Sequence, residues 1–269
     1  MVFEQLFRLK WIERKEHAFF LGFFYSIVAL ISAKLVFPSN VGMMSIAFAS
    51  VLLIPSLNIL LRMEENAEIR EKKLSLRQLF KDHKDIFKVY IFMFLGIFLA
   101  YSITSLLLPD FAIKNLFSAQ LSSAGMSGSA LSEKPFADLV SNNLVVFLVC
   151  FFLSLIYGAG SVLFLVWNAS VWGVAFGFFA KQASSAAGKN IAVGFASSIL
   201  PFLPHMVTEA LAYISAAIVG GIVSKAVIRE KLFSRKFHHI ITDALIFIVI
   251  GFSLVLIAGF IEVRLYALI

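Results

Sequence analysis

The chain carries little charge for its length. Only 14% of its 269 residues are charged, whereas 60% are hydrophobic, and an ordinary soluble domain is about a quarter charged and about half apolar. A single cysteine, Cys150, lies inside the apolar run VVFLVCFFLSLIY, so no intrachain disulfide can form. These shortages exclude an ordinary soluble domain and predict a polytopic membrane protein.

Apolar segments long enough to cross a bilayer follow one another along the chain. A spanning helix needs about 20 mostly apolar residues. We predict spans at 17–37, 41–61, 86–108, 144–166, 204–224 and 240–261, and a shorter segment at 169–180 after Trp167 and Asn168. The short segment predicts a re-entrant or tilted helix. The fold class is therefore all-α, a transmembrane bundle of six to seven spans in one membrane domain, 1–269, with broken or re-entrant helices in its second half.

Two longer polar segments separate these spans. Residues 62–88 hold eight Lys and Arg among helix-spaced apolar residues, and we predict a cytoplasmic basic amphipathic helix on the membrane surface. A solvated charged hairpin is the alternative. Residues 109–142 predict an extracytoplasmic loop with one short interfacial helix, mobile around Gly125–Gly128. Asn142 and Asn143 stand where we expect the next helix to begin, which suits an N-cap.

The basic residues predict the orientation of the chain. Of the 23 Lys and Arg, 17 fall in the N-terminal segment, in 62–88 or in 225–239. Cytoplasmic loops are the ones enriched in Lys and Arg. We therefore expect a multi-pass protein of the cell membrane with a cytoplasmic N-terminus. The net charge of +7 is explained by this topology and by membrane lipid headgroups, not by nucleic acid.

Ionisable residues inside an apolar segment mark the candidate site. His205 and Glu209 lie in LPFLPHMVTEALAYISAAIVGGIV and, being four apart, share one face of a helix. Charge at membrane depth is costly and needs a partner or a wet cavity. The candidate intramembrane polar site comprises His205, Glu209, Asn168, Asn143 and Thr208. Near broken helices, such polar groups can form the binding site of a transporter. Alternatively, they form hydrogen bonds between helices and stabilise the bundle.

Small residues predict where helices approach closely. Gly173 and Gly177 have the small-xxx-small spacing, and Gly220 and Gly221 pair with alanines four residues earlier. The predicted helix-packing residues are Gly158, Gly160, Gly173, Gly177, Gly220 and Gly221.

Enzyme signatures are missing from the sequence. There is no HExxH, no GxSxG with a membrane histidine, no phosphate-binding loop and no dinucleotide fingerprint. One cysteine and one deep histidine do not make a metal site. We expect no enzymatic activity, no cofactor and no metal.

The second half of the chain resembles the stage II sporulation protein M family. That family has an Asn near the start of a span, a Gly-rich span, an Asn–Gly pair and a later Pro-His-Gly-x-x-Glu motif. The matching positions, within residues 140–225, are Asn143, Gly158, Gly160, Asn168, Gly173, Gly177, Pro204, His205 and Glu209. Ala169 and Met206 stand where the family favours Gly. The resemblance implies a polytopic fold, and the named member is a membrane subunit of a peptidoglycan-degrading complex.

Two functional hypotheses follow from these features. The first is a non-enzymatic scaffold that assembles with protein partners or with itself in the membrane. The second is a transporter or channel for a small solute, ion or lipid, with His205 and Glu209 as its site.

Overall fold

The structure is a computed structural model that describes residues 15–68, 76–124, 136–188, 190–232 and 234–266. Within these ranges the regular structure is helical, which confirms the all-α class. The helices are α1 Lys15–Val36, α2 Val41–Glu68, α3 Leu76–Leu107, α4 Asp110–Leu116, α5 Ser118–Ser123, α6 Phe136–Tyr157, α7 Val162–Ala187, α8 Ile191–Ile199, α9 Leu203–Arg229 and α10 Arg235–Tyr266.

Seven of the helices in the described ranges are long and apolar enough to cross a membrane: α1, α2, α3, α6, α7, α9 and α10. Successive crossings alternate in direction, so the α2–α3, α6–α7 and α9–α10 connections lie on one side. Helices α4, α5 and α8 lie on the other side. The expectation of a multi-pass helical bundle is confirmed.

Helices α3 and α9 organise the bundle. Helix α3 packs against α1 and α7, and α9 packs against α6 and α10. Helix α9 is buried over most of its length and has few charged residues. An apolar helix that is enclosed on most sides belongs in the core of a membrane bundle.

The break between the fourth and fifth spans lies elsewhere than the sequence predicted. Helix α6 ends at Tyr157 and α7 begins at Val162, whereas we expected the interruption at Trp167 and Asn168. Gly158 makes the turn with a φ of +68°, a conformation that favours glycine. Helix α7 continues through 167–168, and the Asn168 side-chain amide donates to the carbonyl oxygen of Phe164 within the same helix, at 2.8 Å.

The prediction of a short fifth span at 169–180 was therefore wrong. Helix α7 has 26 residues and is long and apolar enough to cross the membrane. It ends at Gly188, whose φ is +60°, as in a common helix C-cap. The short broken element of the second half is α8, which ends before Pro201.

The two polar segments are described only in part. Within residues 62–88, α2 continues to Glu68 and α3 starts at Leu76, and residues 69–75 lie outside the described ranges, so the surface helix and the charged hairpin stay open. Residues 109–142 contain two short helices, α4 and α5, where we expected one, and Ile113, Phe117 between them and Gln120 are buried. The Gly125–Gly128 segment lies outside the described residues.

Glycines allow backbone contact inside the bundle. A β-carbon built on Gly173 would lie 2.6 Å from the carbonyl oxygen of Phe98, and one on Gly177 would lie 2.6 Å from that of Ser102. Both glycines therefore face α3. A β-carbon on Gly220 would meet the carbonyl oxygen of Phe151 on α6. A β-carbon on Gly96 of α3 would likewise meet the carbonyl oxygen of Phe19 on α1. Gly221 is also buried.

Replacing Gly173 with Leu should destabilise the single chain, because the new side chain meets the backbone of α3. We expect the free energy of unfolding in mixed detergent micelles to fall by about 1–3 kcal/mol, the usual cost of overpacking. Circular dichroism during a denaturing-detergent titration measures it. Ala183→Leu, at an exposed position on the same helix, should have little effect. Equal stability of the two variants would contradict the α3–α7 contact.

Candidate functional site: a polar cluster between two spanning helices

The cluster begins where α9 begins. Pro201 separates α8 from α9, and α9 carries a proline in its first turn, Pro204, where the missing N–H costs nothing. The helix then places His205, Glu209 and Tyr213 at successive spacings of four. Residues spaced in this way form one face, so a single helix aligns an imidazole, a carboxylate and a phenol.

The three side chains are joined within α9. His205 Nε2 lies 3.2 Å from Glu209 Oε2, and the Tyr213 hydroxyl donates to Glu209 Oε1 at 2.5 Å. The His205 and Glu209 side chains are only 12% and 9% exposed, and Tyr213 is fully buried. Both carboxylate oxygens therefore have a partner, as a buried carboxylate requires.

Helix α10 supplies the remaining contacts. His205 Nδ1 lies 3.2 Å from the carbonyl oxygen of Ala258, and Glu262 Oε2 lies 3.9 Å from His205 Nε2. A carbonyl oxygen only accepts, so Nδ1 must carry a proton. A second proton must lie between Nε2 and Glu209, on one or the other. The cluster can thus hold a shared proton while it links α9 to α10.

Asn143 lies on the face of α6 that meets α9 and α10. A β-carbon built on Gly259 would lie 2.7 Å from Val140, and one on Gly251 would lie 2.5 Å from Phe147. Asn143 falls between these two α6 residues at helical spacing and is 4% exposed. Asn143 is therefore inside α6 and is not its N-cap, which corrects the prediction. In the described part of the chain its Nδ2 has no hydrogen-bond partner, and its Oδ1 accepts from Asn142.

Two predicted site residues bond to their own helices instead. Thr208 donates to the carbonyl oxygen of Pro204 at 2.7 Å, and Asn168 donates to that of Phe164 on α7. Neither of these side chains is placed in the polar cluster, which comprises His205, Glu209 and Tyr213 with Glu262 nearby at 3.9 Å.

Sequence reasoning missed Tyr213 and Glu262. Tyr213 lies four residues after Glu209, so the periodicity that paired His205 with Glu209 could have extended to it. Glu262 follows the last apolar residue of the predicted span 240–261, and it was treated as lying outside. Helix α10 continues past it to Tyr266, which brings this carboxylate to the cluster.

A second polar contact lies at the opposite end of the bundle. Lys225 of α9 donates to Asn58 Oδ1 of α2 at 3.3 Å. A β-carbon on Gly158 would lie 2.8 Å from the same Asn58 oxygen and 3.1 Å from Lys225 Nζ. Asn58 of α2 thus lies against both the α6–α7 turn and α9. Gly160, in the same turn, faces the Leu153 carbonyl.

Seven spanning helices and a buried cluster that links two of them define a multi-pass α-helical membrane protein. The chain belongs to the stage II sporulation protein M family, whose family model matches residues 86–265. The match includes α6 to α9 and most of α3 and α10, so it is wider than the resemblance over 140–225. Searches of curated proteins and of solved structures find no match.

Replacing Tyr213 with Phe should destabilise the bundle, because Glu209 would keep its buried oxygen and lose a donor. We expect a loss of about 1 kcal/mol, the usual net contribution of a hydrogen bond to stability. Unfolding in mixed micelles measures it. Tyr90→Phe is the matched control, since the buried Tyr90 hydroxyl has no hydrogen bond within the described residues, and it should be neutral or stabilising. Equal losses in both variants would contradict the bond to Glu209.

Proposed function

We propose that the chain is a non-enzymatic component that assembles with protein partners into a membrane complex. The observation that carries this proposal is the extension of α2 and α3 beyond their apolar spans. The apolar part of α2 ends at Leu60 and that of α3 begins at Lys84, yet the helices reach Glu68 and Leu76. Eight residues of helix correspond to about 12 Å, so each helix extends by about that length past its apolar span, and we call residues 62–88 the hairpin.

The charge of this hairpin suits a protein partner. Residues 62–88 contain eight Lys and Arg but also six Asp and Glu. A surface meant only for anionic lipid headgroups would carry an excess of one sign. Complementary charges of both signs give an interface its partner specificity and its register. The hairpin lies before the family match, which begins at residue 86, apart from its last three residues.

The orientation of the hairpin follows from the basic residues. The connections α2–α3 and α9–α10 share one side of the bundle with the N-terminal segment, and together they hold 17 of the 23 Lys and Arg. We propose that this side is cytoplasmic. A cytoplasmic partner would then contact the hairpin, and the membrane bundle would anchor it.

The contacts inside the bundle are all made within one chain. The small faces of Gly173, Gly177 and Gly220 contact α3 and α6 of the same chain. The carboxylate of Glu209 is bonded on both oxygens. These features stabilise the fold of one chain, so contacts to a partner are expected at the hairpin rather than through the glycine faces.

Charge exchange within the hairpin tests the assembly role. The variant Glu64→Lys, Glu65→Lys, Lys72→Glu, Lys73→Glu keeps the net charge and the number of basic residues, so the orientation signal persists. In native lipid nanodiscs, affinity purification with mass spectrometry should recover a stoichiometric protein partner with the unmodified chain and lose it with this variant.

The control exchanges charges in the other connection on the same side. Arg229→Glu with Glu230→Arg also keeps the net charge, and the partner should remain bound. Absence of any stoichiometric partner, or equal recovery with the hairpin variant, would refute the assembly role.

Transport is a second candidate function, favoured by the two carboxylates around His205. Glu209 and Glu262 approach the same imidazole nitrogen from different helices, and proton-translocating sites use such acidic and histidine groups. On this hypothesis Glu209→Gln removes pH-dependent flux in proteoliposomes while the protein stays folded. Asp243→Asn is the matched control, because Asp243 also faces a histidine four residues away, His239, at 3.6 Å, and flux should persist. Equal flux in the unmodified chain and Glu209→Gln would exclude this function.

A further inference from the structure

An apolar groove separates α3 from α9. It has a volume of about 120 Å³ and is bounded by α3, α7, α8 and α9. Its walls are aliphatic and aromatic, and the residues that define its shape are Phe94, Phe98, Trp172, Ile199, Met206 and Ala210. The groove is distinct from the polar cluster, which faces α10.

The mouth of the groove opens toward the bilayer. Leu95, Leu203 and Val207 line it and are 44%, 43% and 49% exposed. All three lie in helices that cross the membrane. Deeper in the groove, Met206 and Ile214 are buried. The medium at this mouth is therefore lipid hydrocarbon, and the groove leads from it to the central helix α9.

Aromatic contacts join the elements that surround the groove. Trp172 of α7 packs edge-on against Phe94 of α3, with ring centroids 5.6 Å apart, and Phe98 of α3 packs against Phe195 of α8. Phe202, just before α9, contacts Phe176 of α7 at 5.6 Å. Such contacts favour specific ring geometries, so they fix α3, α7 and α8 relative to one another beside the groove.

We propose that this groove binds one acyl chain of a membrane lipid. A cavity of about 150 Å³ lined by Leu, Ile and Phe stays dry and binds benzene, so a groove of this size and lining suits a segment of hydrocarbon. A polar occupant would lose its hydrogen bonds there. A lipid acyl chain is also the hydrocarbon present at the mouth. The site stands independently of the proposed assembly role.

Quenching of Trp172 fluorescence by brominated acyl chains tests the proposal. The chain has three tryptophans, so Trp11→Phe with Trp167→Phe leaves Trp172 alone. In detergent, titration with phosphatidylcholine brominated in its acyl chains should quench Trp172 saturably, at about one lipid per protein. A chain that keeps only Trp167, which does not line the groove, should show no saturable quenching.

Variants that fill the groove provide the decisive comparison. Ala210→Phe should abolish the saturable quenching, and the smaller Ala210→Leu should weaken it if the ring prevents folding. Val227→Phe adds the same ring at an exposed position of α9 away from the groove and should leave quenching unchanged. Quenching that rises without saturation would mean contact with surrounding lipid only. That result, or saturable quenching that survives in folded Ala210 variants, would overturn the proposal.

Discussion

The lack of water in a hydrocarbon layer is the constraint on which this structure depends. Every backbone polar group at that depth must find its partner within the protein, and a buried polar side chain without a partner is costly. Helix α9 shows the solution: Glu209 is bonded by His205 and Tyr213 of the same helix, and His205 reaches the Ala258 carbonyl of α10. At the other end of α9, Lys225 bonds to Asn58 of α2. The most enclosed helix is thus fixed at both ends by polar contacts.

Between these ends, close backbone approach replaces hydrogen bonding. Apolar side chains gain little by leaving lipid for protein, so helices in a membrane associate through tight packing at small residues. Gly220 brings α9 against α6, while Gly173 and Gly177 bring α7 against α3. A stripe of glycines in a membrane sequence is often interpreted as an oligomer interface. In this bundle Gly173, Gly177 and Gly220 are used for contacts within one chain.

The sequence predicted the class, several spans and the His205–Glu209 pair, because apolar length and helical spacing are local properties. The α6–α7 break was misplaced because its cause is not local. Gly158 turns beside Asn58 and Lys225, which are distant in sequence. Asn168 was expected to interrupt the helix. Its side-chain amide donates to the carbonyl oxygen of Phe164 in the same helix, and α7 continues past it. Glu262 was missed because its role depends on the packing of α10 against α9.

The polar cluster and the apolar groove are geometrically coupled through α9. His205, Glu209 and Tyr213 are each followed directly by a groove residue: Met206, Ala210 and Ile214. One residue corresponds to a rotation of about 100° around a helix, so the two stripes lie on adjacent faces. The contacts of His205 with the Ala258 carbonyl and with Glu262 join the polar stripe to α10. Because this stripe faces α10, the apolar stripe is turned toward α3 and lines the groove.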